Sequence, residues 1–212
     1  MKSGQDRPIT GSGIKELVRL CVAQHYEADR LKFKNVILLL VDFFDRHEMN
    51  YALTGAFALK AYGYMRATQD VDFVVRREDQ DKIIEFLESL GFETLYRSTG
   101  YSNHCHALPG LGRIDFVYVS GKTASTIFSE ARKITILRDV RLPVINPIHL
   151  VAMKVFAMKN DPGRRLRKMA DIEHLMTLPQ VRIEDVKAYF EREGLLKEFR
   201  EIVREKATWK ND

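Results

Sequence analysis

Three aspartates interrupt hydrophobic runs that have the pattern of β-strands. Asp70 and Asp72 lie two positions apart in residues 70–75 (DVDFVV), and Asp115 lies within residues 113–119 (RIDFVYV). Side chains alternate between the two faces of a strand, so Asp70 and Asp72 share a face. Like charges so close are costly unless a cation holds them, and Mg²⁺ prefers carboxylate oxygens. If the two strands are neighbours, the three carboxylates converge as two-metal phosphoryl transfer requires.

The Asp-x-Asp pattern also has simpler explanations. For Asp70 and Asp72 the alternative is an edge strand whose polar face is solvated. A second pair, Asp79 and Asp81, lies at the start of an amphipathic helix predicted over residues 79–90. Acidic side chains favour a helix N-terminus without any metal, so we assign this second pair to the helix.

A glycine turn precedes the first two aspartates. Residues 51–54 predict a short strand, Gly55 follows it, and residues 56–64 (AFALKAYGY) predict a helix that begins at once. Glycine lets the backbone approach a ligand closely, and the free N–H groups at a helix start can hold phosphate. Between the turn and Asp70 lies Arg66, which could contact phosphate or serve as a surface loop cation. The order of strand, glycine turn, helix and Asp-x-Asp indicates a phosphate-binding site.

The remaining periodicity predicts a mixed α/β core between helical segments. The expected helices cover residues 14–24, 31–49, 124–133, 148–158, 165–176, 183–192 and 195–206, and the expected further strands lie within residues 93–98, 102–108 and 135–145. The sequence therefore predicts an α/β (α+β) fold, a mixed sheet flanked by helices. We expect an N-terminal helical segment (1–50), a core (51–146) and a C-terminal helical annex (147–212).

Length and composition exclude several classes of protein. The chain has 212 residues, of which 45% are apolar and 30% charged, so it has enough apolar material for a core and too much for a disordered chain. Its two cysteines make no disulfide framework and, without an export signal, indicate reduced thiols. The densest apolar stretch, residues 36–44, contains Asp42 and is too short to span a bilayer. We expect a cytoplasmic protein with no membrane partner, and exclude membrane, collagen-like and secreted disulfide-rich classes.

Positive charge is concentrated in the second half of the chain. Residues 107–212 carry 20 basic and 14 acidic side chains, while residues 1–106 carry 14 and 15. Six of the basic side chains fall within residues 154–169, where Asp161 is the acidic one. Such a segment suits phosphate or nucleic acid, and the alternative explanation is a solvated helix face.

Residues 53–75 (LTGAFALKAYGYMRATQDVDFVV) resemble the active-site signature of the DNA polymerase β-type nucleotidyltransferase superfamily. That signature combines a small glycine turn, a helix, an Asp-x-Asp flanked by hydrophobic residues and a third Asp from a later strand, here Asp115. The Arg-x-Thr-x-Asp-x-Asp form is similar to the AbiEii-like toxin nucleotidyltransferases of type IV toxin–antitoxin systems. Further matches to that group follow in the same order at Lys154, Ala157, Arg167 and Asp171.

Two positions depart from the pattern of that group. Ala56 stands where Gly or Ser is usual, which removes a hydroxyl contact but leaves the backbone N–H. Lys168 stands where the relatives often carry an Asp. These departures keep open a second interpretation, a catalytically weak nucleotide-binding or RNA-binding module on the same fold.

The resemblance implies a nucleotidyltransferase-type core that moves an NMP from an NTP to an acceptor and releases pyrophosphate. It implies that the three aspartates bind two Mg²⁺ ions, or Mn²⁺, and that Asp115 helps to deprotonate the acceptor. Lys154 and Arg66 would neutralise the triphosphate, and Asp171 would orient Lys154 or contact the nucleotide. The expected catalytic residues are Asp70, Asp72, Asp115 and Lys154. The expected nucleotide-binding residues are Thr54, Gly55, Ala56, Arg66, Thr68, Lys154 and Asp171.

The acceptor is left more open than the donor. The expected acceptor is RNA, such as a tRNA 3′ end, steered by the basic segment 154–169. The resemblance further implies a toxin that is paired with an antitoxin protein. The same chemistry directed at a protein side chain or a small molecule remains an alternative.

Overall fold

The computed structural model describes residues 33–65, 67–68, 70–108, 110–137 and 140–208 of the chain. The helix predicted over residues 14–24 and the side chain of Arg66 lie outside these residues. Within them, seven β-strands form one mixed sheet, and eight α-helices flank it. The predicted α/β fold, a mixed sheet flanked by helices, is confirmed.

Strands and helices follow one another in the order that the periodicity predicts, with helices alone after the last strand. The strands are β1 (Tyr51–Leu53), β2 (Asp70–Arg76), β3 (Phe92–Arg97), β4 (Tyr101–His106), β5 (Arg113–Val119), β6 (Arg132–Leu137) and β7 (Val140–Val144). The helices are α1 (Phe33–Arg46), α2 (Gly55–Ala61), α3 (Gln80–Ser89), α4 (Gly121–Glu130), α5 (Pro147–Asn160), α6 (Arg165–Leu175), α7 (Ile183–Glu193) and α8 (Leu196–Thr208). In the described part of the chain no helix is long and apolar enough to cross a membrane.

The two aspartate-bearing strands are neighbours in the sheet. The strand order is β3-β4-β5-β2-β1-β7-β6. β2 pairs with β5, and β1 with β7, in parallel, whereas the other neighbouring strands are antiparallel. β2 and β5 are in register over their whole length, from Asp70 opposite Arg113 to Arg76 opposite Val119. The strands that carry the three aspartates are therefore paired, as the convergence of the carboxylates requires.

One hydrophobic core joins α1, the sheet and the C-terminal helices. Phe44 of α1 packs edge-on against Phe73 of β2 and Phe116 of β5, with ring centroids 5.5 and 6.3 Å apart. All three rings are fully buried, as their hydrophobic sequence context predicts. Helix α1 thus shares its core with the sheet. The domain boundary at residue 50 stays a prediction from the sequence.

Three predicted helices have ends that are wrong by a few residues. The helix predicted over residues 56–64 ends at Ala61, because Gly63 has a φ of +89° and turns the chain. The helix predicted over residues 124–133 begins at Gly121 and ends at Glu130, since the following residue, Ala131, is extended. The first helix ends at Arg46, because Glu48 adopts a left-handed φ of 52° before β1.

Candidate active site

The pairing of β2 with β5 sets carboxylates side by side on one face of the sheet. Asp72 is directly opposite Asp115, and Asp70 is opposite Arg113. On the other side of β5, Asn103 of β4 is opposite Asp115. The hydrophobic residues that alternate with the aspartates are buried on the other face, under α1. The sheet thus fixes the carboxylates through its register, because each strand must turn its hydrophobic side toward the core.

A cleft of about 530 Å³ lies between this face and helices α5 and α6. Its volume is in the range of about 300–1,000 Å³ that is common for ligand pockets. Every predicted site residue that the structure describes lines it: Thr54, Gly55, Ala56, Thr68, Asp70, Asp72, Asp115, Lys154 and Asp171. Arg66 lies outside the described residues. The structure brings the predicted residues together, and their individual roles stay predictions.

Gly55 is the point at which the glycine turn meets an aspartate. Its φ is +60°, and a Cβ placed on it would lie 1.9 Å from Oδ2 of Asp72. The backbone N–H of Thr54 donates to the carbonyl oxygen of Asp72 at 2.9 Å, which ties the turn to β2. The sequence interpretation gave Gly55 a close approach to a ligand. In the structure the close approach is to the Asp72 carboxylate, which no side chain at position 55 would allow.

The two threonines of the predicted set have structural hydrogen bonds in the cleft wall. The hydroxyl of Thr54 donates to the sulfur of Met153 on α5 at 3.5 Å, so it joins the glycine turn to the helical wall. The hydroxyl of Thr68 accepts from the backbone N–H of Asp70 at 3.2 Å, at the first residue of β2. The first contact joins two walls of the cleft, and the second holds the start of the strand that carries Asp70 and Asp72.

Lys154 and Asp171 form a buried ion pair across α5 and α6. The Lys154 ammonium donates to Oδ2 of Asp171 at 2.6 Å, and the two side chains are only 10% and 3% exposed. A buried charge is tolerated when a partner and hydrogen bonds compensate it. Asp171 therefore fixes the position of the Lys154 ammonium, which lines the cleft opposite the aspartates. The nearby His174 ties α6 to the turn after α2, because its ring contacts the Tyr62 carbonyl at 3.0 Å.

Asp115 has surroundings that the sequence analysis missed. Its side chain is 13% exposed, and burial raises its pKa, while the Tyr101 hydroxyl and the Arg113 guanidinium act in the opposite direction. Burial and the Asp115 charge raise the pKa of Tyr101 in turn. Tyr101 and Arg113 share the sheet face of Asp115. Arg113 lies two residues before Asp115 on β5, and Tyr101 of β4 stands opposite Val117, two residues after Asp115. The sequence could have identified Arg113, which lies two residues from Asp115 in the same predicted strand, whereas the place of Tyr101 depends on the pairing of β4 with β5.

The donor set of the cleft fits a hard divalent cation. Within the described residues, the side chains as placed form no group of three or more metal-binding residues. Asp72 and Asp115 nonetheless stand opposite each other on paired strands, and Oδ1 of Asp115 is buried without a hydrogen-bond partner in the described part of the chain. A buried carboxylate oxygen left without a donor is costly unless something binds it. Carboxylate oxygens are the ligands that Mg²⁺ and Mn²⁺ accept.

The basic segment 154–169 divides between the cleft and surface ion pairs. Lys159 and Arg165 face acidic residues of α7 and α8, at 3.1–3.2 Å. Arg164, Arg167 and Lys168 line the cleft. Arg164 and Lys168 both lie near Asp161, at 3.5 and 3.6 Å, whereas Arg167 has no ion pair among the described residues. The part of the expected phosphate-facing surface that lies in the cleft therefore consists of Lys154, Arg164, Arg167 and Lys168.

The sequence features assigned to structure alone lie away from the cleft. Asp81 forms an ion pair with Arg97 of β3. His104 is fully buried, and its ring nitrogens contact Thr94 at 3.1 Å and Ser102 at 2.8 Å. Burial lowers the pKa of His104 to about 4. His104 is therefore a neutral core histidine of β4, within the strand that the sequence predicts in residues 102–108.

Comparisons with known proteins find likeness in structure. No family model matches the sequence, and no curated protein matches it significantly. The solution structure of the antibiotic-resistance factor ANT(2'')-Ia superposes with a TM-score of 0.58 at 14% identity, covering 84% of this chain and 95% of that one. A crystal structure of ANT(2'')-Ia in complex with adenylyl-2''-tobramycin gives 0.56 at 11% identity, over 75% and 95%. A nucleotidyltransferase-like protein from Paracoccidioides brasiliensis gives 0.48 at 15% identity, over 80% and 92%, too low a score to argue from.

At these low sequence identities, the comparisons show the fold of the chain. The likeness to ANT(2'')-Ia extends over nearly all of that protein. It confirms the predicted nucleotidyltransferase-type mixed sheet flanked by helices. The narrower similarity to AbiEii-like toxins rests on the sequence motifs alone.

Proposed function

We propose that the protein is a metal-dependent nucleotidyltransferase that moves an NMP from an NTP to an acceptor hydroxyl. The observation that carries this proposal is the register of β2 and β5, which puts Asp72 opposite Asp115 in one cleft with Asp70 and Gly55. A cleft with carboxylates on one wall and a fixed lysine on the other suits a triphosphate held through cations.

The chain's own groups have distinct parts in this reaction. Asp70, Asp72 and Asp115 would hold two Mg²⁺ ions, or Mn²⁺, which when bound supply positive charge to the triphosphate and acidify the acceptor hydroxyl. Asp115 accepts the proton as the acceptor oxygen bonds to the α-phosphorus, and the bond from that phosphorus to the bridging oxygen breaks to release pyrophosphate. Lys154, fixed by Asp171, neutralises charge on the phosphates.

The glycine turn supplies the remaining phosphate contacts. Thr54, Gly55 and Ala56 line the cleft beside Asp72, so their backbone is the part of the wall that would face the β- and γ-phosphates. Because α2 is only seven residues long, we base this assignment on the position of the turn and not on a helix dipole. Thr68 and Arg66 complete the proposed nucleotide-binding set on the segment before Asp70.

RNA is the first candidate acceptor, because the wall opposite the aspartates is basic. Arg164, Arg167 and Lys168 line the cleft with Asp161 as their acidic neighbour. Phe156, on the same wall, is 57% exposed, which is unusual for a large aromatic side chain and suits base stacking. Arginines beside an exposed aromatic ring are a common combination in single-stranded nucleic-acid sites. The role of a toxin opposed by an antitoxin extends this proposal and rests on the sequence resemblance.

A small molecule is the second candidate acceptor. It is favoured by the shared fold with ANT(2'')-Ia, whose complex contains adenylyl-2''-tobramycin. Tobramycin-like acceptors are polycations, and such an acceptor would meet like charge at Arg164 and Arg167. An uncharged or anionic hydroxyl compound fits this wall better than a polyamine does.

The experiment incubates the protein with total tRNA, Mg²⁺ and each α-³²P-labelled NTP in turn. The test variant is D70N/D72N, and the matched control is D79N/D81N, which changes the other Asp-x-Asp pair outside the cleft. We expect label on RNA with the wild type and the control, and a loss of about 1,000-fold or more in the test variant, since bound metal contributes several kcal/mol. Equal labelling by the two variants would refute the assigned site.

The same assay separates the alternatives. Label on the protein band instead of RNA identifies a protein acceptor, and label on an added hydroxyl compound identifies a small-molecule acceptor. If no acceptor is labelled while NTP raises the melting temperature, the protein is the binding module that Ala56 and Lys168 keep open. The NTP that gives label names the donor base.

A further inference from the structure

We infer that the turn between β3 and β4 forms the acceptor end of the cleft and holds the terminal nucleoside of an RNA acceptor. Residues 98–101 are called the acceptor turn below. Two of them, Gly100 and Tyr101, line the cleft. This inference rests on the proposed nucleotidyl transfer, and it adds the place at which the acceptor binds.

The order of the strands puts the acceptor turn and the glycine turn on opposite sides of the carboxylates. β4, β5, β2 and β1 are consecutive neighbours in the sheet, so Asp115 on β5 and Asp72 on β2 lie between Tyr101 on β4 and the turn that follows β1. In an in-line displacement the attacking oxygen and the leaving oxygen lie on opposite sides of the phosphorus. With the pyrophosphate at the glycine turn, the acceptor hydroxyl therefore approaches from the β4 side.

The cleft wall beyond Asp115 is uncharged and carries an aromatic ring. Apart from Asp115, the described residues of β4, β5 and the acceptor turn that line the cleft are Gly100, Tyr101 and Val117. Tyr101 and Val117 stand directly opposite each other on the paired strands, so they share a face. An aromatic ring beside a small aliphatic side chain suits the flat face of a base, because every base can stack on such a surface. The chemistry of this wall therefore favours a nucleoside over a charged group.

The opposite wall supplies the charge that the rest of an RNA chain needs. Arg164, Arg167 and Lys168 line the cleft from α6 and the turn before it. Basic side chains bind phosphates without regard to sequence, whereas aromatic rings bind bases. A single strand that enters between the two walls would set its phosphates against the basic residues and its last base on Tyr101. A small uncharged acceptor would use Tyr101 alone, so the basic wall favours RNA.

The acceptor turn is held by its own hydrogen bonds and by contacts from α3 and β5. The Ser98 N–H donates to the Tyr101 carbonyl at 2.7 Å, and the Ser98 hydroxyl accepts from the Tyr101 N–H at 3.1 Å. The Gln80 amide donates to the Ser98 carbonyl at 2.8 Å, and the Tyr118 N–H donates to the Gly100 carbonyl at 3.0 Å. A preformed wall of this kind binds a ligand without the entropy cost of ordering a loop.

Gly100 offers a way to fill the acceptor end of the cleft without straining the backbone. Its φ lies outside the left-handed region, and a Cβ placed on it would meet no atom within 4 Å. The test variant is G100L, and the matched control is T99L, because Thr99 is the exposed neighbour outside the set of cleft-lining residues. Labelling is measured against the concentration of total tRNA at saturating Mg²⁺ and NTP. We expect the KM for tRNA to rise about 10-fold or more in G100L, which excludes the terminal nucleoside, and to stay unchanged in T99L.

A second pair of variants tests the aromatic ring. Y101A removes it, and the matched control is Y96A, because Tyr96 on β3 is 57% exposed and lies outside the cleft-lining set. Loss of one stacking ring corresponds to about 5- to 150-fold in affinity, so we expect the KM for tRNA to rise by that factor in Y101A and to stay unchanged in Y96A. All four variants should keep the rise in melting temperature that Mg²⁺ and NTP produce, because the donor binds at the glycine turn.

Several outcomes would overturn the inference. KM values for tRNA in G100L and Y101A equal to those of their controls would exclude the acceptor turn, and a lost NTP effect in G100L would move the turn to the donor end. Label on protein or on an added hydroxyl compound, with tRNA unlabelled, would overturn the assignment to RNA. Wild-type protein that labels no acceptor would refute the proposed function, and filter binding of tRNA to the four variants would still decide whether the acceptor turn holds RNA.

Discussion

Replacing Gly55 with alanine separates backbone strain from damage to the site. The φ of +60° costs an alanine about 1–2 kcal/mol, whatever surrounds it. The new Cβ would also lie 1.9 Å from Oδ2 of Asp72, against an ordinary contact distance of 3.4 Å or more. The three nearest atoms all belong to the Asp72 side chain, so that carboxylate must move by more than 1 Å. A displacement of about 1 Å at a reacting group costs about 100-fold in rate.

Gly121 provides the matched control for this substitution. It has a φ of +58°, begins helix α4 just as Gly55 begins α2, and a Cβ there meets no atom within 4 Å. We expect both variants to lower the melting temperature, by about 2–4 °C per kcal/mol and by at least as much in G55A as in G121A, in thermal unfolding followed by circular dichroism. Nucleotidyl transfer should fall about 100-fold or more in G55A and stay near the wild-type value in G121A. Equal turnover in the two variants would refute the role given to the Gly55–Asp72 contact.

Three further substitutions test the remaining electrostatics. D171N should lower the free energy of unfolding in urea by about 3–5 kcal/mol, because it removes the negative charge that the buried Lys154 ammonium contacts at 2.6 Å. A smaller loss would show that water reaches this pair. The wild type should lose up to about 3 kcal/mol of stability as the pH falls from about 6.5 to 4, because His104 takes up a proton in the unfolded chain but, with a pKa of about 4, not in the folded protein. H104Q should not show this loss, whereas H47Q, at an exposed position, should show it in full. R167A should weaken binding of single-stranded RNA and reduce its salt dependence without lowering the melting temperature, and unchanged salt dependence in filter binding would place Arg167 outside the interface.

The acidic half of the site could be predicted because it lies on strands. Asp70 and Asp72 in one hydrophobic run and Asp115 in another are the acidic residues of these strands, and period two assigns them to the face away from the core. The hydrophobic neighbours leave each strand one choice of face, so the sequence determines the direction of the carboxylates. The pairing of β2 with β5 was a condition of the argument, since strand order depends on contacts distant in sequence.

The surroundings of Asp115 could not be predicted in the same way. Tyr101 and Asn103 lie on β4, which reads as an ordinary polar strand until its antiparallel pairing with β5 is known. Phe156 was overlooked for a different reason. Helix α5 is apolar on most of its circumference, and a sequence of that kind does not distinguish the ring that remains exposed in a cleft from those that are buried.

The site and the core depend on the same strand register. β2 and β5 are paired over seven consecutive positions, with Asp72 opposite Asp115 and Phe73 opposite Phe116. A slip by one residue would place Asp115 opposite a hydrophobic residue and turn its carboxylate toward Phe44, which is fully buried. Such a slip would break the ring packing under α1 and would bury a charged carboxylate in the core, and both changes are unfavourable. The packing of the hydrophobic face therefore sets how closely the two carboxylates approach, and substitutions that loosen this face would disturb the cleft without touching it.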